Sequence, residues 1–117
     1  DQGAKDLGTH VFGIYLDDES NGVTLADNTV TGSRYGLYLH GAFANVASGN
    51  TFRNNLDAHL LLADWGFPAG TIHDNVVRDN RFGPGRAIEL AGNSGDDRTR
   101  WATFSGSICE PGATDCR

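Results

Sequence analysis

Gly13-Ile14-Tyr15-Leu16 returns as Gly36-Leu37-Tyr38-Leu39, more loosely as His59-Leu60-Leu61-Leu62, and again as Ala87-Ile88-Glu89-Leu90. The copies start 23, 23 and 28 residues apart. Self-similarity at such a period is the sequence mark of a solenoid. Within each copy two large aliphatics flank one residue that must point the other way, which is the alternation of a strand. Ile14/Leu16, Leu37/Leu39, Leu60/Leu62 and Ile88/Leu90 are therefore expected to form one inward wall. Tyr15, Tyr38, Leu61 and Glu89 are expected to form one outward column, and that face and its rim are the first place to look for a site.

Composition supports many short strands joined by tight turns. The chain has 117 residues, sixteen glycines, three prolines and no methionine, enough for one domain. No stretch approaches the roughly 18 consecutive apolar residues of a membrane span. No signal-peptide pattern is present and the chain opens on Asp1, so it is expected to be a mature, processed or excised piece. A formal charge of −6 argues against nucleic acid, whose binding needs Lys and Arg on phosphates. It also repels acidic polysaccharides on average, although a local basic patch can still hold one. Cys109 and Cys116 enclose a Pro-Gly turn, which reads as a short disulfide loop formed in an oxidising compartment, secreted or periplasmic.

Each repeat has the same internal order: anchor strand, polar turn, second short strand, a turn ending in Asn, third strand. In the first the second strand is Val23-Thr24-Leu25 and the third Thr29-Val30; in the second these are Asn45-Val46-Ala47 and Thr51-Phe52. In the third, Thr71-Ile72-His73 and Val76-Val77 are expected to fill the same places. Asn28, Asn50 and Asn75 would then recur at one corner. Asn tolerates the left-handed backbone of a sharp turn, and stacked amides bond to one another. Three strands per coil with an Asn ladder at one corner predict an all-β fold, a right-handed parallel β-helix of about four coils stacked about 4.8 Å apart. The expected division is a frayed segment 1–10, coils over 11–107 and a C-terminal disulfide loop over 108–117. The C-terminal end has a cap in Ala91–Arg100, Trp101 and the disulfide loop. The N-terminal end lacks one, so the first coil is expected to stack on N-terminal coils of a longer chain or on another protomer.

The stretch from Gly13 to Val30 resembles the repeat of right-handed β-helix proteins. These include pectate-lyase-like and polygalacturonase-like enzymes, alginate lyases and epimerases, phage tailspikes and bacterial secreted β-helix proteins. The resemblance covers roughly residues 11–92 and implies a carbohydrate-active protein with a polysaccharide or oligosaccharide partner. Function remains a property of sites and not of the fold.

Chemistry is expected just past each anchor strand, where the register stacks Asp17 beside His40 and Asp18 in the column of Gly41 and Asp64. Three readings compete. In the first, a polysaccharide hydrolase, Asp17, Asp18 and His40 are catalytic, because two carboxyls about 6.5 to 9.5 Å apart suit inversion at an anomeric carbon. The acidic pair followed one coil later by His40-Gly41 is similar to the polygalacturonase pattern. Leu39 stands where that pattern has a glycine, and its Asn-Thr-Asp and Arg-Ile-Lys elements are missing. In the second, a lyase, Asp17, Asp18 and Asp64 bind Ca²⁺; no other cofactor is expected. The third treats the acid-rich turn as solvated and Tyr15 and Tyr38 as a stabilising stack. Tyr15, Tyr38, His59, Asp64, Trp65 and Glu89 are the candidate substrate contacts. A non-catalytic β-helix for polysaccharide binding, adhesion or scaffolding, as in tailspike-like assemblies, is the alternative to an enzyme.

Overall fold

The computed structural model describes residues 12–17, 19–92 and 98–117. Strands run β1 (Phe12–Leu16), β2 (Thr24–Ala26), β3 (Thr29–Thr31), β4 (Tyr35–His40), β5 (Val46–Ser48), β6 (Thr51–Arg53) and β7 (Ala58–Ala63). They continue with β8 (Asn75–Arg78), β9 (Arg81–Phe82), β10 (Gly85–Arg86), β11 (Ile88–Ala91), β12 (Ala102–Ser105), β13 (Ile108–Cys109) and β14 (Ala113–Thr114). Four parallel sheets result: β1-β4-β7-β11, β2-β5-β8-β12, β3-β6-β9-β13 and the two-stranded β10-β14. Every third strand returns beside its predecessor in the first three coils and every fourth in the last, so the chain is a solenoid of about four turns. The anchor register is the one the repeat dictates, with Ile14 beside Leu37, Leu37 beside Leu60 and Leu60 beside Ile88. Leu37, Leu39, Leu60, Leu62 and Ile88 line the inner wall, against Phe52, Phe82 and Val77 from the next two sheets and Trp101 just before β12. Burying each such side chain contributes about 1.5 to 3 kcal/mol.

The third coil differs from the expected layout by one strand. Val76-Val77 belongs to the second sheet, paired with Val46-Ala47, and the third strand is Arg81-Phe82. The reason is the long excursion between β7 and β8, which consumes the residues assigned to a second strand. The Asn column shifts with it. Asn28, Asn50 and Asn80 form one ladder, and Asn75 belongs to a second ladder with Asn45. In each ladder the lower side-chain oxygen accepts from both the backbone N–H and the Nδ2 of the Asn one coil towards the N-terminus. Asn50 Oδ1 lies 2.9 Å from Asn28 N and 3.1 Å from its Nδ2. Asn80 Oδ1 lies 2.9 Å from Asn50 N and 3.0 Å from its Nδ2.

The ladder asparagines do not adopt the left-handed backbone themselves. The residue before each one does: Asp27, Gly49 and Asp79 in the first ladder, Ala44 and Asp74 in the second, all with φ between 57° and 68°. These columns divide the work, one residue turning the corner and the next supplying the amide.

The two ends are finished differently. On β11, Arg98 donates from Nη1 to Leu90 O and from Nη2 to Gly92 O while lying over the Trp101 ring. It satisfies carbonyls that a fifth coil would otherwise bond. The Cys109–Cys116 disulfide closes the last loop, and Glu110 ties that loop to Arg53 at 2.5 Å and Arg81 at 3.3 Å. The expected frayed segment and half of the Ala91–Arg100 cap lie outside the described residues.

Candidate functional site

The outward face of the anchor sheet is an aromatic stack. The Tyr15 and Tyr38 rings lie 5.0 Å apart and 22° from parallel, and the His40 ring stacks on Tyr38 at 5.2 Å. In-register parallel pairing forces this, since Tyr15 is the direct partner of Tyr38. Only one of the two tyrosines is open to solvent. Tyr15 is 44% exposed, while Tyr38 is buried with Leu61 and Ala63. Burial, with the neighbouring Tyr15 and Asp17 adding to it, pushes the Tyr38 hydroxyl well above the ordinary phenol range. It is therefore a packing residue and no base.

His40 is the centre of the rim. Its Nδ1 lies 2.9 Å from Asp17 Oδ1 and 3.2 Å from the Tyr15 hydroxyl, both one coil towards the N-terminus. Its Nε2 lies 2.6 Å from the carbonyl oxygen of Trp65, one coil the other way. Phe67 packs its edge on the imidazole at 5.0 Å. Gly41, at φ 63°, makes room for that ring: a Cβ there would sit 2.6 Å from Phe67 Cε2. The excursion from Asp64 to Asp74 thus folds back over the end of β4, with Trp65 45% exposed at its crest. The Phe67 seat and the Trp65 carbonyl contact escape a reading by register, because both come from the segment that departs from the repeat. That Trp65-Phe67 opens the longest interstrand loop of the first three coils is the signal the sequence does carry.

Two expected contacts are corrected. His59 does not face a substrate. It is fully buried, with Nδ1 at 3.0 Å from Asn55 Nδ2 and Nε2 at 3.1 Å from the carbonyls of Gly83 and Pro84. The cause lies in its repeat position. Gly13 and Gly36, its counterparts, turn inward at a corner where a Cβ would lie 2.7 Å from Val30 Cγ1 or 3.0 Å from Phe52 Cδ1. His59 is the side chain that fills this corner of the core. Asp64 is also buried, at 1% exposure, beneath Gly92. It does not share a surface with Asp17. Asp18 lies outside the described residues. Among the described residues no group of three or more His, Cys, Asp or Glu side chains is placed to hold a metal ion.

Glu89, half-buried at the far end of the column, lies 3.4 Å from Arg86, which also reaches Asp115 at 3.3 Å. It borders a cleft of about 610 Å³ on the last coil, with Ile88, Leu90 and Phe104 on its floor. A second cleft of about 590 Å³ lies beside β8 and β12, near His73 and Arg100. Neither includes Tyr15, Asp17, His40 or Trp65. The rim around His40 is an open surface.

A stack of parallel three-stranded coils with internal Asn ladders defines the class: a single-chain β-solenoid. The family model described as "Right handed beta helix region" matches residues 11–109, and the chain belongs to that family. It matches no curated protein and no solved structure. Among the described residues no helix is long and apolar enough to cross a membrane.

Proposed function

We propose that this chain is a polysaccharide-binding β-helix whose contact surface is the rim of the anchor sheet around His40. One observation carries the reading. Among the described residues the two exposed aromatic side chains, Tyr15 and Trp65, are joined through one imidazole, which touches the hydroxyl of the first and the carbonyl of the second. Exposed aromatic rings beside a carboxylate and an imidazole offer apolar faces for sugar rings and acceptors for hydroxyls. Asp17 is the acceptor at this rim. The disulfide fits a secreted or periplasmic location.

Binding is favoured over hydrolysis by the fate of the carboxylates. Inversion needs two carboxyls across one bond, and Asp64 is buried away from Asp17. Both His40 nitrogens are also engaged. The hydrolase reading keeps one supporting feature, the contact of Asp17 with His40, and its remaining carboxylate would be Asp18. A polysaccharide array with the intact chain tests the proposal. Tyr15→Ala and Trp65→Ala are each expected to weaken any bound glycan about tenfold, the loss of one aromatic contact worth about 1.4 kcal/mol. Unchanged affinity in both variants removes this rim from the function. Release of reducing ends that stops in Asp17→Asn replaces binding with hydrolysis.

A further inference from the structure

We propose that His40 is a positioning residue, a proton-dependent clamp that holds the Trp65–Phe67 loop against the anchor sheet. The glycan half of this role rests on the function proposed above; the clamp itself does not.

The argument starts from what faces each ring nitrogen. Among the described residues Nε2 faces only a carbonyl oxygen, that of Trp65, which accepts and cannot donate. Nδ1 faces the Asp17 carboxylate and the Tyr15 hydroxyl. Asp17 Oδ1 is buried and receives no aligned hydrogen bond from a described residue. His40 is also the one described cation within ion-pair reach of it. Tyr38 and Phe67, the remaining neighbours of the ring, contribute faces and edges but no charge. The doubly protonated ring therefore suits every contact at once, setting a positive charge beside Asp17 while its two N–H groups face the Tyr15 oxygen and Trp65 O.

A neutral ring has one N–H and must abandon one partner. Leaving a buried carboxylate oxygen against a lone pair costs more than leaving a loop carbonyl, which water can reach. The proton is therefore kept at Nδ1 and lost from Nε2. Two lone pairs then face each other across the Trp65 contact and the loop is released. Asp17 selects the tautomer and His40 transmits its charge state to the loop one coil away. The Trp65 indole moves with it.

The test needs no glycan. With 5-fluorotryptophan incorporated, the chain gives two ¹⁹F resonances, from Trp65 and from the buried Trp101, and Trp65→Phe assigns them. Between about pH 5 and about pH 8, where imidazoles change charge, the Trp65 signal is expected to move through one proton transition while Trp101 stays fixed and reports an intact core. His40→Gln keeps an N–H donor without a titrating charge, so its Trp65 signal is expected not to move. Asp17→Asn is the sharper variant. Without the carboxylate the neutral ring can keep its proton at Nε2, so Trp65 stays docked at both ends of the range. A wild-type Trp65 resonance that does not respond to pH, or one that titrates alike in Asp17→Asn, overturns the clamp. Any glycan found on the array should bind about tenfold more weakly at the alkaline end, a coupling of about 1.4 kcal/mol. If Trp65 titrates and no glycan binds, the clamp stands and the glycan reading falls. If glycan binds equally at both ends with a static Trp65, the clamp alone falls.

Discussion

Asn50 should be a costly amide to remove. Asn50→Ala deletes four side-chain hydrogen bonds: Oδ1 accepts from Asn28 N and Nδ2, and Nδ2 donates to Leu25 O and to Asn80 Oδ1. The Asn50 backbone N–H keeps its own bond to Asn80 Oδ1. Two part-buried backbone groups, Asn28 N and Leu25 O, lose these side-chain partners, at about 1 kcal/mol or more each. The remaining two bonds and the small void add about 1 kcal/mol, for a total near 3 kcal/mol. Asn28→Ala, at the exposed top of the same ladder, loses one side-chain bond whose acceptor is still bonded by Asn28 N. Its cost is about 0.5 kcal/mol. For 117 residues the unfolding entropy gives about 4 °C per kcal/mol, so calorimetry should read drops of about 12 °C and about 2 °C. Asn50→Asp is expected to be at least as damaging as alanine, because it turns an acceptor towards Leu25 O and Asn80 Oδ1. Equal, small losses for Asn28→Ala and Asn50→Ala would refute the reasoning and reduce the asparagines to corner formers.

Two further outcomes follow from the same geometry. Ala44 holds φ at 57° with a Cβ and no compensating side-chain bond, so Ala44→Gly should raise stability by up to about 1 kcal/mol despite the usual cost of glycine, read as a higher urea midpoint with unchanged slope. The hydrogen bond from Arg53, assisted by Arg81, holds the Glu110 carboxyl below its usual range. A carboxyl with a lowered folded value contributes stability above its unfolded value near about 4.3 and loses it as pH falls through the folded one. Amide-exchange protection in residues 108–116, relative to the intrinsic rate at each pH, should therefore fall on acidification below about pH 4 in the wild type. Glu110→Gln should show low protection at all pH values. An acid response that survives in Glu110→Gln would assign it elsewhere.

What the sequence made legible is whatever the repeat carries in register. Parallel in-register pairing turns a 23-residue interval into a list of neighbours, so Tyr15 over Tyr38 and Asp17 beside His40 could be read before any coordinates. The ladder departs from a single column in the third coil because the second and third coils each place Asn at two such corners. Asn45 and Asn50, and again Asn75 and Asn80, stand five apart. That doublet was the available signal, and a single-column reading passed over it. His59 failed for a different reason. An alternation rule assumes a regular pleat, while Gly13 and Gly36 turn inward next to Ile14 and Leu37, leaving two successive inward positions. Glycine leaves no trace of which way it faces. The direction became visible only where a side chain replaced it.

The same contrast explains where the candidate site falls. Five residues link β4 to β5, but eleven link β7 to β8. A solenoid packs each repeat position against its counterparts in the neighbouring coils. The extra residues of the third coil are not bound by that constraint. They reach back one coil to the end of β4, where Gly41 leaves the space that Phe67 fills and His40 supplies the polar contact. Insertion and seat are thus complementary: the glycine and histidine sit in the regular coil, and the aromatics sit in the irregular one. The proposed contact surface falls at that junction because there, among the described residues, the stack's own periodicity does not dictate the neighbour.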